Sequence, residues 1–241
     1  MNSKFTFIDH SNLVGQHALF SPSQSAWLRY DDEKIAERIL TQYRAPLGTE
    51  IHEFAAQQIT MDHKVTNVKY LMASIENYIY TKYTFLSSNL KISDYGMTLI
   101  KNVRLLPRDV YETVRHYIND GIGYKMTTEQ PLVYSDNLFG TADTISFKNN
   151  VLRIHDLKTG ATQVHMEQLA TYAALFCLEY GPKYNFKPGD LEYELRIYQW
   201  NGDENDPQYA IIDKPTAMDI VPIIDRIVQI EKIANKFDKE D

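Results

Sequence analysis

Residues 139–147 and 151–158 alternate apolar with polar positions, the period of a β-strand. They flank Asn149-Asn150, and asparagine tolerates the left-handed backbone of a tight turn, so 139–158 is predicted to form a β-hairpin. Upstream the spacing is helical. Ser21 and Ser23 beside Pro22 open a short helix with Ala26, Trp27 and Tyr30 on one face, a packing helix with Trp27 in the core. Residues 32–43 form another, broken by Pro46-Leu47-Gly48, after which Thr49 caps a helix with Ile51, Phe54, Ala55 and Gln58 along one side. Several helices fill 66–126, one capped by Ser93 and running toward Asn102, another with Pro107 in its first turn and its end near Asp120-Gly121. The run TTEQPLVY ahead of the hairpin is a strand that Pro131 confines to a sheet edge. Beyond the hairpin, 163–180 is a helix with Val164, Leu169, Ala173, Leu175 and Phe176 apolar, stopped by Gly181-Pro182. Strands follow near 191–200 and 209–213. From about Ala217 an amphipathic helix carries Ile220, Ile223, Ile224, Ile227 and Ile230 as a core-facing stripe. The order of helices, three strands, helix, two strands and helix predicts an α/β fold with a central mixed sheet, flanking helices and a helical N-terminal half.

Alternation also assigns faces. With a two- or four-residue loop, Phe147 faces Leu152, Ile145 faces Ile154 and Asp143 faces Asp156. Asp143 then shares a face with Ile145 and Phe147, and Asp156 with Leu152 and Ile154, while Thr144, Ser146, Lys148, Arg153 and His155 form a face that reads as solvated. Both acids are expected to point toward the core. Two carboxylates about 5 Å apart repel by roughly 3 kcal/mol at an effective dielectric near 20. A divalent cation offsets this directly, and Lys158, two residues after Asp156 and in phase with it, brings an ammonium group to the same place. The alternative is structural: strand-end acids neutralised by Lys158 or by a loop.

Composition narrows the field. The chain of 241 residues reads as one domain over 1–241, with a helical part at about 15–126 and a sheet core at about 127–241, without linker, repeat or low-complexity segment. Its 44% hydrophobic and 24% charged residues are ordinary for a globular protein, and no apolar run approaches bilayer length, so no membrane association is expected. The segment MNSKFTFIDH lacks the pattern of a secretory signal. A single cysteine, Cys177, excludes an intramolecular disulfide and a four-cysteine iron-sulfur cluster within the chain, which points to a reducing, cytoplasmic setting. A net charge of −7 argues against a nonspecific nucleic-acid coat, although part of it lies in the tail acids Asp238, Glu240 and Asp241. Any nucleic-acid contact must come from a local basic patch. Lys91, Lys101, Arg104, Arg108, Arg115 and Lys125, interleaved with Tyr95, Tyr111, Tyr117 and Tyr124, read either as such a groove or as a solvated helical surface over packed tyrosines.

Gly140-Thr141-Ala142-Asp143, then Asp156-Leu157-Lys158 with Thr159-Gly160, then Gln168 to Tyr172 resemble the GxxD, (D/E)xK and QxxxY motifs of the PD-(D/E)xK nuclease superfamily, in its RecB-like and lambda-exonuclease-like branch. Gly48 to His52 resembles the GxxxH motif that opens RecB-type domains. The resemblance spans roughly residues 15–235 and implies a restriction-endonuclease-like core. It further implies that Asp143, Asp156 and Lys158 are catalytic and that Mg²⁺ or Mn²⁺ is held by His52, Asp143, Asp156 and the carbonyl of Leu157. Hard oxygen donors with one imidazole suit those ions better than zinc. Gln168 and Tyr172, four apart on one helix face, would contact DNA, and Glu129 would be a secondary acid. The implied activity is a metal-dependent DNA exonuclease of phage or bacterial recombination, repair or replication, working with a single-strand annealing or replication protein. An endonuclease or flap-processing enzyme would use the same site, and a DNA-binding recombination partner without catalysis is the alternative of another class. His155 is on the wrong face of its strand to join.

Overall fold

A computed structural model describes residues 26, 28–85, 92–160 and 165–237. Residues 17–25 with Trp27, Lys91, Gln163 with Val164, and the tail acids Asp238, Glu240 and Asp241 lie outside the described residues. Contacts divide the chain into two units, Met1–Ala45 and Pro46–Asp241. The described part of the first is residue 26, residues 28–31 and the opening of helix α1; the sheet, its covering helices and the candidate acids belong to the second.

Elements follow in the expected order: α1 (Asp32–Thr60), α2 (Val68–Phe85), α3 (Asp94–Leu105), α4 (Arg108–Gly123), β1 (Thr127–Ser135), β2 (Leu138–Lys148), β3 (Val151–Leu157), α5 (Glu167–Tyr184), β4 (Glu192–Tyr198), β5 (Ile211–Asp213) and α6 (Ala217–Phe237). Strand order is β1-β2-β3-β4-β5, with β3 and β4 parallel and the other neighbours antiparallel. The parallel pair is the one joined by a helix, as its geometry demands. The fold is therefore α/β with a five-stranded mixed sheet. β1, which carries Pro131, is an edge strand, and Glu179 of α5 accepts its Val133 N–H at 2.8 Å.

The hairpin turns on Asn149 and Asn150, both left-handed at φ 53° and 60°. The register is the expected one from Lys148↔Val151 through Phe147↔Leu152 and Ile145↔Ile154 to Thr144↔His155. There the ladder stops, one pair short of Asp143 and Asp156.

Three expectations about element boundaries are overturned. α1 runs unbroken through Pro46, so Pro46-Leu47-Gly48 is no break and Thr49 no N-cap. Burial of Leu47, Ile51, Phe54, Ala55 and Ile59 carries the helix past a residue that costs about 3 kcal/mol in a helix interior. α5 likewise continues through Gly181-Pro182 to Tyr184, where Asn185, left-handed at φ 56°, ends it. Pro107 is the N-cap of α4 rather than part of its first turn, whereas Ser93 caps α3 as expected, accepting the Gly96 N–H at 3.1 Å.

The face of the hairpin read as solvated is so only in part: Lys148 is exposed and Ser146 and Arg153 are half-buried, but Thr144 and His155 are buried. Thr144 and His155 are both 0% exposed, because the sheet is covered on both sides. One core joins α1–α4 to Leu157 and Tyr198; the other joins α5 and α6 to Ile145, Leu152, Ile154 and Leu195. Only the first half of the α6 stripe is sealed: Ile220 and Ile227 are buried, Ile223 and Ile224 are half-buried, and Ile230 is exposed. Several polar groups on the covered face of β3 and β4 pair with one another. Asp120 of α4 accepts from Tyr198 at 2.7 Å and Arg196 at 3.0 Å, Arg196 also reaches Tyr124 at 2.8 Å and Glu194 at 2.8 Å, and Arg153 and Arg196 stack over the Tyr124 ring.

In the basic and aromatic region of 92–125 the tyrosines pack in part, while Tyr95, Lys101, Arg104, Arg108 and Lys125 are exposed. Tyr111 and Tyr117 are buried, and Tyr124 belongs to the network just described. Arg104 is bidentate on Glu76 at 3.0 and 2.7 Å, and Arg115 pairs with Glu112 at 2.8 Å.

His155 has no hydrogen bond at Nε2, and burial together with the charges of Arg196 and Arg153 pushes its pKa down to about 3. The unfolded chain takes up this proton below pH ~6.5 and the folded chain only near the lower value, so stability falls as pH drops through that window. Between pH 7 and pH 5 the loss from this group is about 2 kcal/mol. His155→Leu is expected to abolish that part of the acid sensitivity in chemical denaturation; equal pH slopes in variant and wild type would contradict it.

Candidate functional site

The end of β3 collects charge because three acids fall on neighbouring strands. Asp156 is the penultimate residue of β3, Asp143 lies on β2, and Glu129 lies on β1 opposite Asp143 in the register that pairs Thr128 with Thr144 and Gln130 with Ala142. Glu129 is itself left-handed at φ 49°, so the edge strand is distorted where it passes the acids. Glu129 was read from sequence only as a secondary residue; its place opposite Asp143 depends on a register between β1 and β2 that no motif specifies.

β2 and β3 part at this point. Leu157 N–H is donated to Asp143 Oδ2 at 3.1 Å, so the Asp143 side chain takes over where the ladder ends. The same oxygen lies 3.3 Å from His52 Nδ1. α1 is fixed in rotation by its neighbour: Glu50 accepts from Lys82 and Tyr83 of α2, and Glu53 from Lys82 and Tyr78. His52, about 100° around the helix from Glu53, is thereby turned onto Asp143. Gly48, one turn earlier, brings α1 close to the loop after β3, since a Cβ there would stand 3.2 Å from Thr159 Oγ1.

Asp156 is 4% exposed, and Lys158 Nζ lies 3.0 Å from its Oδ1 and 2.9 Å from its Oδ2. The second approach is a charge contact only, which leaves Oδ2 buried without a hydrogen bond. Burial and the charge of Asp143 raise the Asp156 pKa, and Lys158 and His52 only partly oppose them. Burial and Asp143 likewise raise Glu129. Burial pulls His52 down, but its hydrogen bond to Asp143 and the charges of Asp143 and Asp156 outweigh this and hold it above the ordinary histidine value. Tyr117, buried beneath these acids, is raised by burial and then by Asp143, a placement that its spacing among basic residues did not reveal.

Gln168 and Tyr172 share one face of α5 as expected, with Gln168 Nε2 3.5 Å from the Tyr172 hydroxyl. The Tyr172 ring lies against Gly140, where a Cβ would meet Cε1 at 2.8 Å. The glycine of the GxxD stretch is thus the seat of the tyrosine of the QxxxY stretch. Asp143, Asp156, Lys158 and His52 are brought together, Glu129 joins them, and Gln168 with Tyr172 meets the same strand β2 three residues from Asp143.

Among the described residues no three His, Cys, Asp or Glu side chains converge as placed on one point. The acids are tied in pairs instead, Asp143 with His52 and Asp156 with Lys158. The donor set nevertheless fits a hard divalent cation: two close carboxylates, a third beside them, one imidazole, and a buried oxygen lacking a hydrogen bond.

A family model described as a protein of unknown function, DUF2800, matches residues 17–199. The chain belongs to this family. The DUF2800 match covers all the residues named above and ends just after β4, leaving β5 and α6 outside it. No curated protein and no solved structure matches this DUF2800 chain. Among its described residues no helix is long and apolar enough to cross a membrane.

A raised carboxylate pKa means that ionisation opposes folding once pH exceeds that of the folded group. Asp156→Asn, which removes the charge but keeps the shape, is therefore expected to raise the melting temperature at pH 7 by a few degrees in EDTA. A lower melting temperature would show that the Lys158 pairing outweighs the repulsion.

Proposed function

We propose that this protein is a metal-dependent deoxyribonuclease with a restriction-endonuclease-like core, acting as a DNA exonuclease. The observation that carries the reading is the buried Asp156 carboxylate within 3.0 Å of Lys158, with Asp143 and His52 paired beside it at the parted ends of β2 and β3. Carboxylates placed at such cost to one another, with a lysine in contact, are a poor structural device and a serviceable hydrolytic one.

Asp143 and Asp156 would hold Mg²⁺ or Mn²⁺, with His52 and the Leu157 carbonyl completing the set and Glu129 adding a further acid. Bound there, the cation supplies Lewis-acid charge to the scissile phosphodiester. Lys158, in contact with Asp156, would orient the attacking water and balance the charge that grows on the phosphate. Gln168 and Tyr172 position the nucleic-acid backbone, and Gly140 sets how closely Tyr172 approaches. His52, hydrogen-bonded to Asp143, fixes the orientation of that carboxylate. A single-strand annealing or replication protein is the partner that this activity would serve.

Digestion of end-labelled linear duplex and single strand, against a covalently closed circle, tests the proposal. With Mg²⁺ or Mn²⁺ the linear substrates are expected to be degraded and the circle spared, with no digestion in EDTA. Lys158→Ala is expected to lower the rate by about a hundredfold or more. Cutting of the circle would make the enzyme an endonuclease. DNA binding without cleavage under any metal would replace the enzyme by a non-catalytic binding partner.

A further inference from the structure

α5 continues past Gly181-Pro182, and this places four aromatic residues at successive intervals of four: Tyr172, Phe176, Tyr180 and Tyr184. Residues at that spacing lie along one side of a helix, and from Tyr172 to Tyr184 the row covers about 18 Å of axis. Its far part is stacked. Phe176 and Tyr180 have ring centroids 4.9 Å apart with planes 25° from parallel, and Tyr180 and Tyr184 are 6.2 Å apart at 20°. Phe186 stacks on Phe176 from the other side at 5.8 Å and 18°, and Phe147 of the hairpin tilts against both.

All of these rings except Tyr172 line an open groove of about 720 Å³ together with Asn150, Asn185 and Asp190. Tyr184 is 61% exposed and Phe147 41% exposed, a large aromatic surface left to water. Both asparagines are held in left-handed backbone, at the hairpin turn and at the helix cap, which fixes two amide groups at the rim. Exposed Lys148, Lys183 and Lys187 adjoin Phe147, Tyr184 and Phe186 in the chain, and Lys183 Nζ lies 5.4 Å from the Tyr184 ring centroid. The groove also holds one acid, Asp190, which accepts the Lys187 N–H at 2.7 Å.

We propose that this groove is a subsite for the unpaired nucleobases of a single strand, stacked on its exposed rings Tyr184 and Phe147. Flat rings offer every base a stacking face, amides offer hydrogen bonds to its edges, and flanking lysines answer the phosphates, the combination by which single strands are held without strong sequence preference. Phe147 is four residues from Asp143 on β2, about 13 Å along the strand. The groove and Asp143 therefore lie on the same strand of the hairpin. Delivery of the nucleic-acid strand to the acids rests on the nuclease reading; the subsite itself does not.

The test uses the full chain in EDTA, where no cleavage can occur, with a short single-stranded oligonucleotide carrying 2-aminopurine. Binding is expected to quench the fluorescence by stacking. Tyr184→Ala and Phe147→Ala, both at exposed positions, are each expected to weaken affinity about tenfold and relieve the quenching. Tyr184→Trp is expected to keep both, which a merely structural tyrosine would not predict. Undiminished affinity and quenching in the two alanine variants would overturn the proposal, as would a blunt duplex that binds as tightly with the same dependence on Tyr184. Quenching that persists in a protein found to cleave nothing would defeat the nuclease reading and support the subsite.

Discussion

Repulsion among carboxylates at the end of β3 is the constraint around which the rest of the structure is arranged. Asp156 is buried, Asp143 lies beside it, and Glu129 comes up on the next strand, so each additional negative charge raises the cost of the others. Two basic groups oppose them, and they arrive from different parts of the chain: Lys158 from the same strand end and His52 from α1, more than ninety positions earlier. Neither alone neutralises the group, since the pKa of Asp156 remains raised with both present. A fold that retains this conflict gives up stability at one place, which natural sequences tolerate where chemistry is done.

Holding the charges there requires rigidity on both sides of the sheet. β3 is central, parallel to β4, and covered by α1–α4 on one face and by α5 and α6 on the other. The helical half is therefore part of the site's support. The ion pairs of Glu50 and Glu53 with Lys82 fix the rotation of α1, and that rotation brings His52 to Asp143. Behind the strand, the network of Asp120, Arg196, Tyr198 and Tyr124 locks β4 to α4 without adding net charge near the acids.

Much of this was legible in the sequence because hairpin geometry leaves few choices. Two asparagines fix a two-residue turn, a two-residue turn fixes the register, and the register brings Asp143 near Asp156. The element order followed from periodicity in the same way. What failed had a common cause: features that act locally were overridden by burial. Pro46 and Gly181-Pro182 look like helix stops, yet both lie in helices whose apolar faces are packed. Thr144, Arg153 and His155 look like a solvated face, but a second layer of helices covers them, and a sequence read one strand at a time contains no sign of that layer. The place of Glu129 depended on a register between β1 and β2 that is set by no turn signature.

The overridden stop in α5 also explains how one helix serves two ends of the sheet. A helix ending at Tyr180 would have placed Tyr172 against Gly140 and left the hairpin tip uncovered. Continuing to Tyr184 extends the aromatic row by one member, and the left-handed Asn185 then folds Phe186 back onto Phe176. That contact constrains the glycine in turn: a Cβ on Gly181 would stand 3.0 Å from the Phe186 carbonyl oxygen. The residue that looks like a helix breaker is thus the one small enough to let the chain double back and complete the ring cluster. The acids and the rings are in this way fixed by the same two elements, the β2–β3 hairpin and α5, which sets their separation by backbone geometry.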